Sequence, residues 1–260
     1  MTFIIAEAGV NHNGDIQEAH RLVVAAKRCG ADAVKFQHFN SQRLWGDDRI
    51  KHLELTFNQL YNLRAQADLL GIEFMCTAFD CQSLEEILPL IKRIKISSGC
   101  ICDIELLKRA AATGLPVIIS TGMCNIADVG GVRAFFYRDY PLTLMHCTSI
   151  YPCPLDAVNL NVLLMDVICT NSYVTKLGFS DHTTTTSIPI AAVAIGATVI
   201  EKHLTLNRNA EGPDHKASIE PDQFKLMIQG IREVEQALGS GIKRVQPGEM
   251  ALREIWHARK

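Results

Sequence analysis

Eight short apolar runs recur along the chain, and between them the apolar positions fall three or four residues apart. The runs are Phe3–Ala8, Ala33–Phe39, Glu73–Ala78, Arg93–Ser97, Pro116–Ser120, Leu142–Cys147, Lys176–Ser180 and Thr198–Lys202. Several are nearly continuous rather than alternating, as a parallel sheet covered on both faces requires. Helical periodicity spans Ile16–Cys29, Asn58–Leu70, Ser83–Leu90, Ile104–Thr113, Ile126–Tyr137, Ser187–Gly196 and Pro221–Leu238, with a shorter stretch at Asn159–Thr170. Gly30, Gly71, Gly114 and Gly196 stand just past helices, where a left-handed cap is wanted. The pattern predicts eight β/α units in order.

Such units can form an open doubly wound sheet or a closed barrel. Polar residues follow nearly every strand, and closure would bring them to one mouth, whereas an open sheet would gather its site at a single switch point. The expected fold is therefore α/β, a single (β/α)8 TIM barrel over residues 1–238, with residues 239–260 as a tail. The longest irregular insertion, His38–Thr56, is placed to overhang the mouth.

Composition narrows the class. The chain has 260 residues, 48% apolar and 21% charged, with a formal charge of −2. A balance so near neutral argues against non-specific nucleic-acid binding. No apolar stretch reaches the roughly 18 residues that cross a bilayer. The chain opens as a strand with no basic leader, so a soluble, cytoplasmic protein is expected. Nine cysteines include no CxxC pair, which favours reduced, mostly buried thiols.

The strand ends carry the chemistry. They present Glu7, Lys35 with Gln37, Thr77, Lys95 with Ser97 and Ser98, Ser120, the segment His146–Tyr151 including Ser149, Ser180 with His182, and Glu201 through His203. Two lysines and several hydroxyls at one mouth suit a phosphate-bearing anion. Each lysine could equally be closed in an internal salt bridge with Glu7 or another carboxylate. His182 and His203 end neighbouring strands, where two neutral imidazoles could share a divalent metal; ordinary structural histidines are the plainer reading. His146 lies earlier in its run and reads as packed. Asp214, in a loop stiffened by Gly212 and Pro213, could handle hydroxyls or a proton, or simply cap a turn. A Schiff-base aldolase using Lys95 or Lys202 is a further option, though it leaves the paired histidines unexplained.

The segments AEAGVNHNGD, ADAVKFQ, KISSG, PVIISTGM, HCTSIYP, GFSDHT, GATVIEKHLTL and EGPDHKASIEPDQF resemble the N-acetylneuraminate (sialic acid) synthase family, in order and over essentially the whole chain. The resemblance implies condensation of phosphoenolpyruvate with N-acetylmannosamine or a related 2,4-diacetamido sugar. It also implies a divalent metal, with Mn2+ favoured over Mg2+ or Co2+. Carried over, it assigns the metal to His182 and His203, and phosphoenolpyruvate to Lys35, Thr77, Lys95, Ser98, Ser120 and Ser180. Glu7, Gln37, Tyr151 and Asp214 would hold or activate the sugar, with Ser149 beside them. Three departures stand out: Cys100 replaces the carboxylate that normally follows KISSG, Ser149 stands where asparagine is common, and residues 239–260 resemble only the start of the linker to the family's C-terminal antifreeze-like domain, which is expected to be missing. A different sugar aldehyde, a catalytically weak ligand-binding relative, a homodimer and a separate lid protein are the alternatives these departures raise.

Overall fold

The computed structural model describes residues 1–137, 139–164 and 176–259. Eight parallel strands close into a barrel in chain order: β1 (Phe3–Gly9), β2 (Ala33–His38), β3 (Glu73–Ala78), β4 (Ile94–Ile96), β5 (Val117–Ser120), β6 (Leu142–Cys147), β7 (Lys176–Asp181) and β8 (Val199–His203). β1 pairs with both β2 and β8, which completes the ring. Around it lie α1 (Ile16–Cys29), α2 (Ser41–Trp45), α3 (Phe57–Leu70), α4 (Cys81–Ile87), α5 (Ile104–Ala112), α6 (Ile126–Arg133), α7 (Ser187–Ala194) and α8 (Pro221–Leu238), with α9 (Met250–His257) in the tail.

Local chemistry sets the helix ends. Asp15 caps α1 by accepting from Gln17 N, and Gly30 closes it at φ 89°. Thr56 and Gln59 form a capping box on α3. Two helices differ from the sequence expectation. α4 starts at Cys81 because Asp80 caps it, and gives way at Leu88 to a 3-10 turn because Pro89 cannot continue an α-helix. α6 stops at Arg133, four residues short of Tyr137, after the poor helix formers Gly130 and Gly131. Within Asn159–Thr170 the structure shows a 3-10 turn over Leu160–Leu164, and the remainder lies outside the described residues.

Strand alternation sorts the side chains into layers. Outward residues such as Val34, Phe36, Ile94, Ile96, Phe179 and Ile200 pack under the helices in the main core. Inside the barrel, Ile5, Ala33, Met75, Ile118, Met145 and Val199 make an apolar floor. Gly178 belongs to this inner set, since a Cβ there would come within 2.8 Å of Met145 Cγ and 3.0 Å of Val199 O. Two residues further along the strands, the inward positions are Glu7, Lys35, Thr77, Ser120, Cys147, Ser180 and Glu201, joined by Lys95 of β4. A dry floor thus supports a charged layer directly beneath the mouth.

Candidate active site

Above that layer opens a cavity of about 380 Å³. Lys35 is tied down from several sides: its Nζ lies 2.9 Å from Glu7 Oε2 and 3.5 Å from Glu201 Oε2, and it donates to Thr77 Oγ1 at 2.8 Å. Lys95 donates to Ser120 Oγ at 2.7 Å and to Ile96 O at 3.2 Å, with Glu201 Oε1 3.7 Å away. Ser180 Oγ donates to Glu201 Oε1 at 3.1 Å, and Gln37 Nε2 to Glu7 Oε1 at 3.0 Å. The salt-bridge reading of the lysines therefore holds in the structure. Both ammoniums nevertheless line the cavity, along with the hydroxyls of Thr77, Ser97, Ser98, Ser120 and Ser180.

Burial governs the protonation of this cluster. It raises Glu7 to about 7, against the opposing pull of Lys35. Burial also opposes the charge on Glu201, but Lys35, Lys95 and His203 together with the Ser180 hydrogen bond outweigh it and hold that carboxyl at about 2. Burial disfavours both ammoniums: Lys35 is still raised by Glu201 and Glu7, whereas Lys95, repelled by Lys35, is lowered. The arrangement is a fixed carboxylate between two ammoniums, with a second carboxyl near its titration point at neutral pH.

The imidazoles of His182 and His203 are neighbours, with ring centroids 5.5 Å apart and planes tilted by 55°. His182 Nδ1 lies 2.8 Å from Thr148 O, a carbonyl that can only accept, so Nδ1 donates there and Nε2 is the nitrogen outside that bond. Tyr151 stacks on His182 at 3.9 Å and meets His203 edge-on at 5.7 Å. His203 Nδ1 is buried without a hydrogen-bond partner, 3.7 Å from Asp214 Oδ2. Burial lowers the His203 pKa and keeps the ring neutral. Asp214 precedes a 3-10 turn without capping it, so its carboxylate is available to the cavity it lines.

Glu7, Lys35, Gln37, Thr77, Lys95, Ser98, Ser120, Ser149, Tyr151, Ser180, His182, His203 and Asp214 all line this one cavity. Three further residues raised by the sequence lie outside this lining. Lys202 points outward into a buried pair with Asp181 and is absent from the lining, so it cannot serve as a Schiff-base nucleophile here. Cys100 also stays out of the lining: its Sγ sits 3.6 Å from Phe79 O and 3.5 Å from Ser97 Oγ. His146 is held by Val158 O at 2.7 Å. The sequence reading gave no role to Glu201, the residue that joins the two lysines, or to Cys147, whose Sγ lies 3.9 Å from His182 Nδ1. Strand parity would have found both, since each sits two residues beyond a floor residue.

The insertion does overhang the mouth. Leu44, Trp45, Ile50 and Leu53 come from it, and with Val10, Phe39 and Phe79 they form an apolar wall over the charged layer. Gly122 lies behind the lining residues Ser98 and Ser149, and Ser98 Oγ accepts from its N–H at 3.0 Å. A Cβ on Gly122 would come 2.2 Å from Ser149 Oγ and 2.8 Å from Ser98 Oγ, so a side chain there would have to displace both hydroxyls.

The model of the NeuB family matches residues 22–243. An N,N'-diacetyllegionaminic acid synthase of Legionella pneumophila is 42% identical over 280 residues, covering 97% of this chain and 78% of that protein. One of the same name from Campylobacter jejuni is 37% identical, covering 95% of this chain and 80% of its own length. Among solved structures, an N-acetylneuraminic acid (sialic acid) synthetase from Leptospira borgpetersenii superposes with a TM-score of 0.91 at 32% identity, covering 100% of this chain and 92% of that one.

Proposed function

This chain belongs to the NeuB family, and from that membership we propose that it condenses phosphoenolpyruvate with an N-acetylmannosamine-type sugar aldehyde, aided by a divalent cation, Mn2+ foremost. The products are a sialic-type nonulosonic acid and inorganic phosphate. The observation that carries the proposal is the charged layer itself, with two buried ammoniums and flanking hydroxyls set beside a neighbouring pair of imidazoles.

Charge counting supports the cation. Phosphoenolpyruvate brings about three negative charges at neutral pH. Lys35 and Lys95 supply two positive ones, but Glu201 already offsets part of that. The two imidazoles fit the missing charge: both rings face the cavity, and His203 Nδ1 is a buried nitrogen without a partner. Among the described residues no three His, Cys, Asp or Glu side chains form a metal cage. A cation held by His182 and His203 would therefore keep positions for water and substrate, and when bound it would polarise the sugar carbonyl as a Lewis acid.

The residues divide the remaining work. Lys35, Lys95, Thr77, Ser98, Ser120 and Ser180 hold the phosphate and carboxylate, and they stabilise charge where it leaves. Glu7, Gln37, Tyr151 and Asp214 orient the aldehyde over the vinyl carbon. A C–C bond forms between that carbon and the aldehyde carbon, and the aldehyde oxygen takes a proton. Water adds to the electron-poor central carbon and loses a proton, and the new hydroxyl then becomes the ketone as the C–O bond to phosphate breaks and the departing phosphate takes up the hydroxyl's proton. Glu7, with its pKa raised to about 7 by burial, can exchange protons in this sequence. The apolar wall suits the methyl groups of N-acyl substituents, which favours a mono- or diacetamido sugar over a bare hexose.

The test measures phosphate release from phosphoenolpyruvate with N-acetylmannosamine or a 2,4-diacetamido hexose, with Mn2+ and with a chelator, and takes the product mass. Release should require an aldehyde and Mn2+. No release with any acetamido sugar would overturn the substrate assignment, and full release in the chelator would overturn the metal. Borohydride trapping with a ketoacid should give no adduct.

A further inference from the structure

Each imidazole directly follows a residue of opposite orientation. Asp181 precedes His182 and Lys202 precedes His203, and strand alternation turns both outward, into the layer that Phe179 and Ile200 fill beside them. There Lys202 Nζ lies 2.5 Å from Asp181 Oδ2 and 2.6 Å from Thr183 O, and both charged side chains have 0% exposure. Asp181 also accepts from Thr183 N at 2.9 Å and from Thr183 Oγ1 at 3.1 Å.

An ion pair in an apolar layer generally adds less stability than well-packed apolar residues of the same volume. Neither member lines the cavity, so neither touches substrate. What the pair does join is the last register step between β7 and β8, Asp181 with Lys202. It also closes the turn through His182 onto Thr183, leaving His182 held from both sides: its carbonyl accepts from Cys153 N at 2.9 Å, and its Nδ1 donates to Thr148 O. The two strand ends that carry the imidazoles are thus clamped from behind.

We infer that Asp181 and Lys202 are positioning residues whose buried ion pair locks the ends of β7 and β8, and so sets the relative geometry of the His182–His203 pair and keeps His182 Nδ1 on Thr148 O. The inference rests on the proposed role of these imidazoles in holding a cation, but its structural half can be read without one.

The test uses the full chain. Asp181→Leu/Lys202→Met replaces the pair with apolar side chains and strands no buried charge, and Asp181→Asn/Lys202→Met is a companion that keeps an amide for the Thr183 N–H and likewise strands none. Ring-nitrogen NMR of the metal-free protein reports the His182 tautomer, and titration with MnCl2, followed by the electron paramagnetic resonance of free Mn2+, reports affinity. The parent should show His182 protonated only at Nδ1. Both variants should show mixed tautomers and bind Mn2+ about tenfold more weakly or worse. Phosphoenolpyruvate affinity, set by Lys35 and Lys95, should stay within about twofold. A folded variant with a single tautomer and unchanged Mn2+ affinity overturns the inference. If the parent binds no Mn2+, the metal assignment fails separately, and the tautomer alone decides the positioning role. Should Asp181→Leu/Lys202→Met not fold, Asp181→Asn/Lys202→Met carries both measurements.

Discussion

Lys35 Nζ sits 2.9 Å from Glu7 Oε2, and neither side chain is more than 3% exposed. Removing the lysine leaves Glu7 and Glu201 facing each other in a closed space. Lys35→Met should therefore destabilise the fold by about 3–5 kcal/mol, because a buried charge is stranded. Adding Glu7→Gln should recover much of that loss, since Gln37 can still pair with a neutral amide. Urea titration of both variants checks the stability, and phosphoenolpyruvate binding should be lost in both. If the double variant is no more stable than Lys35→Met, the pair is not what holds this layer.

His12 gives the fold a pH dependence of its own. It has 0% exposure, and its Nδ1 accepts from Gly14 N at 3.0 Å. Burial lowers its pKa to about 4, with Asp15 opposing weakly. An unfolded histidine titrates near 6.5. Between these values the unfolded chain binds the proton and the folded chain does not, so stability falls as pH drops from about 6.5 toward 4. His12→Asn should flatten that part of the curve relative to the parent. Denaturation midpoints at pH 7 and pH 4.5 for both proteins check it, and parallel curves would contradict the assignment.

The turn at Gly122 should be intolerant of even one carbon. A Cβ would collide with the Ser149 and Ser98 hydroxyls, and Ser98 already accepts from the Gly122 N–H. Gly122→Ala should cost about 1–3 kcal/mol of local strain. If Ser98 holds phosphoenolpyruvate, that strain should appear as a KM for the donor raised roughly tenfold, with a smaller change in melting temperature. An unchanged KM would remove Ser98 from the donor site.

Much of this was legible in the sequence, because two periodicities were superimposed. Near-continuous apolar runs marked strands buried on both faces, and the polar residues ending them marked the mouth. Parity within each strand went unused, and parity separates Glu201, in the cavity, from Lys202, behind it. The direction of Cys100 was not legible for a related reason. After the short β4 the chain enters a 3-10 turn at Ser98–Cys100, so alternation no longer sets side-chain direction. The apolar wall from Leu44 to Leu53 had no periodic signal, because α2 has only five residues and its role comes from where the insertion folds back.

Cys100 separates resemblance from geometry. A family carboxylate at this position implied that its loss would impair sugar handling. Here the thiol is 6% exposed, lies outside the cavity lining, and its Sγ is directed at Phe79 O. Its contribution is packing, with burial raising its pKa and keeping it a neutral thiol. Cys100→Ala should therefore lower stability by about 1 kcal/mol, through lost contacts and a small void. The KM for the acetamido sugar should stay within about twofold. Steady-state kinetics at saturating phosphoenolpyruvate, alongside a thermal melt, distinguish the two roles. A large rise in sugar KM without loss of stability would show that the thiol reaches the sugar after all.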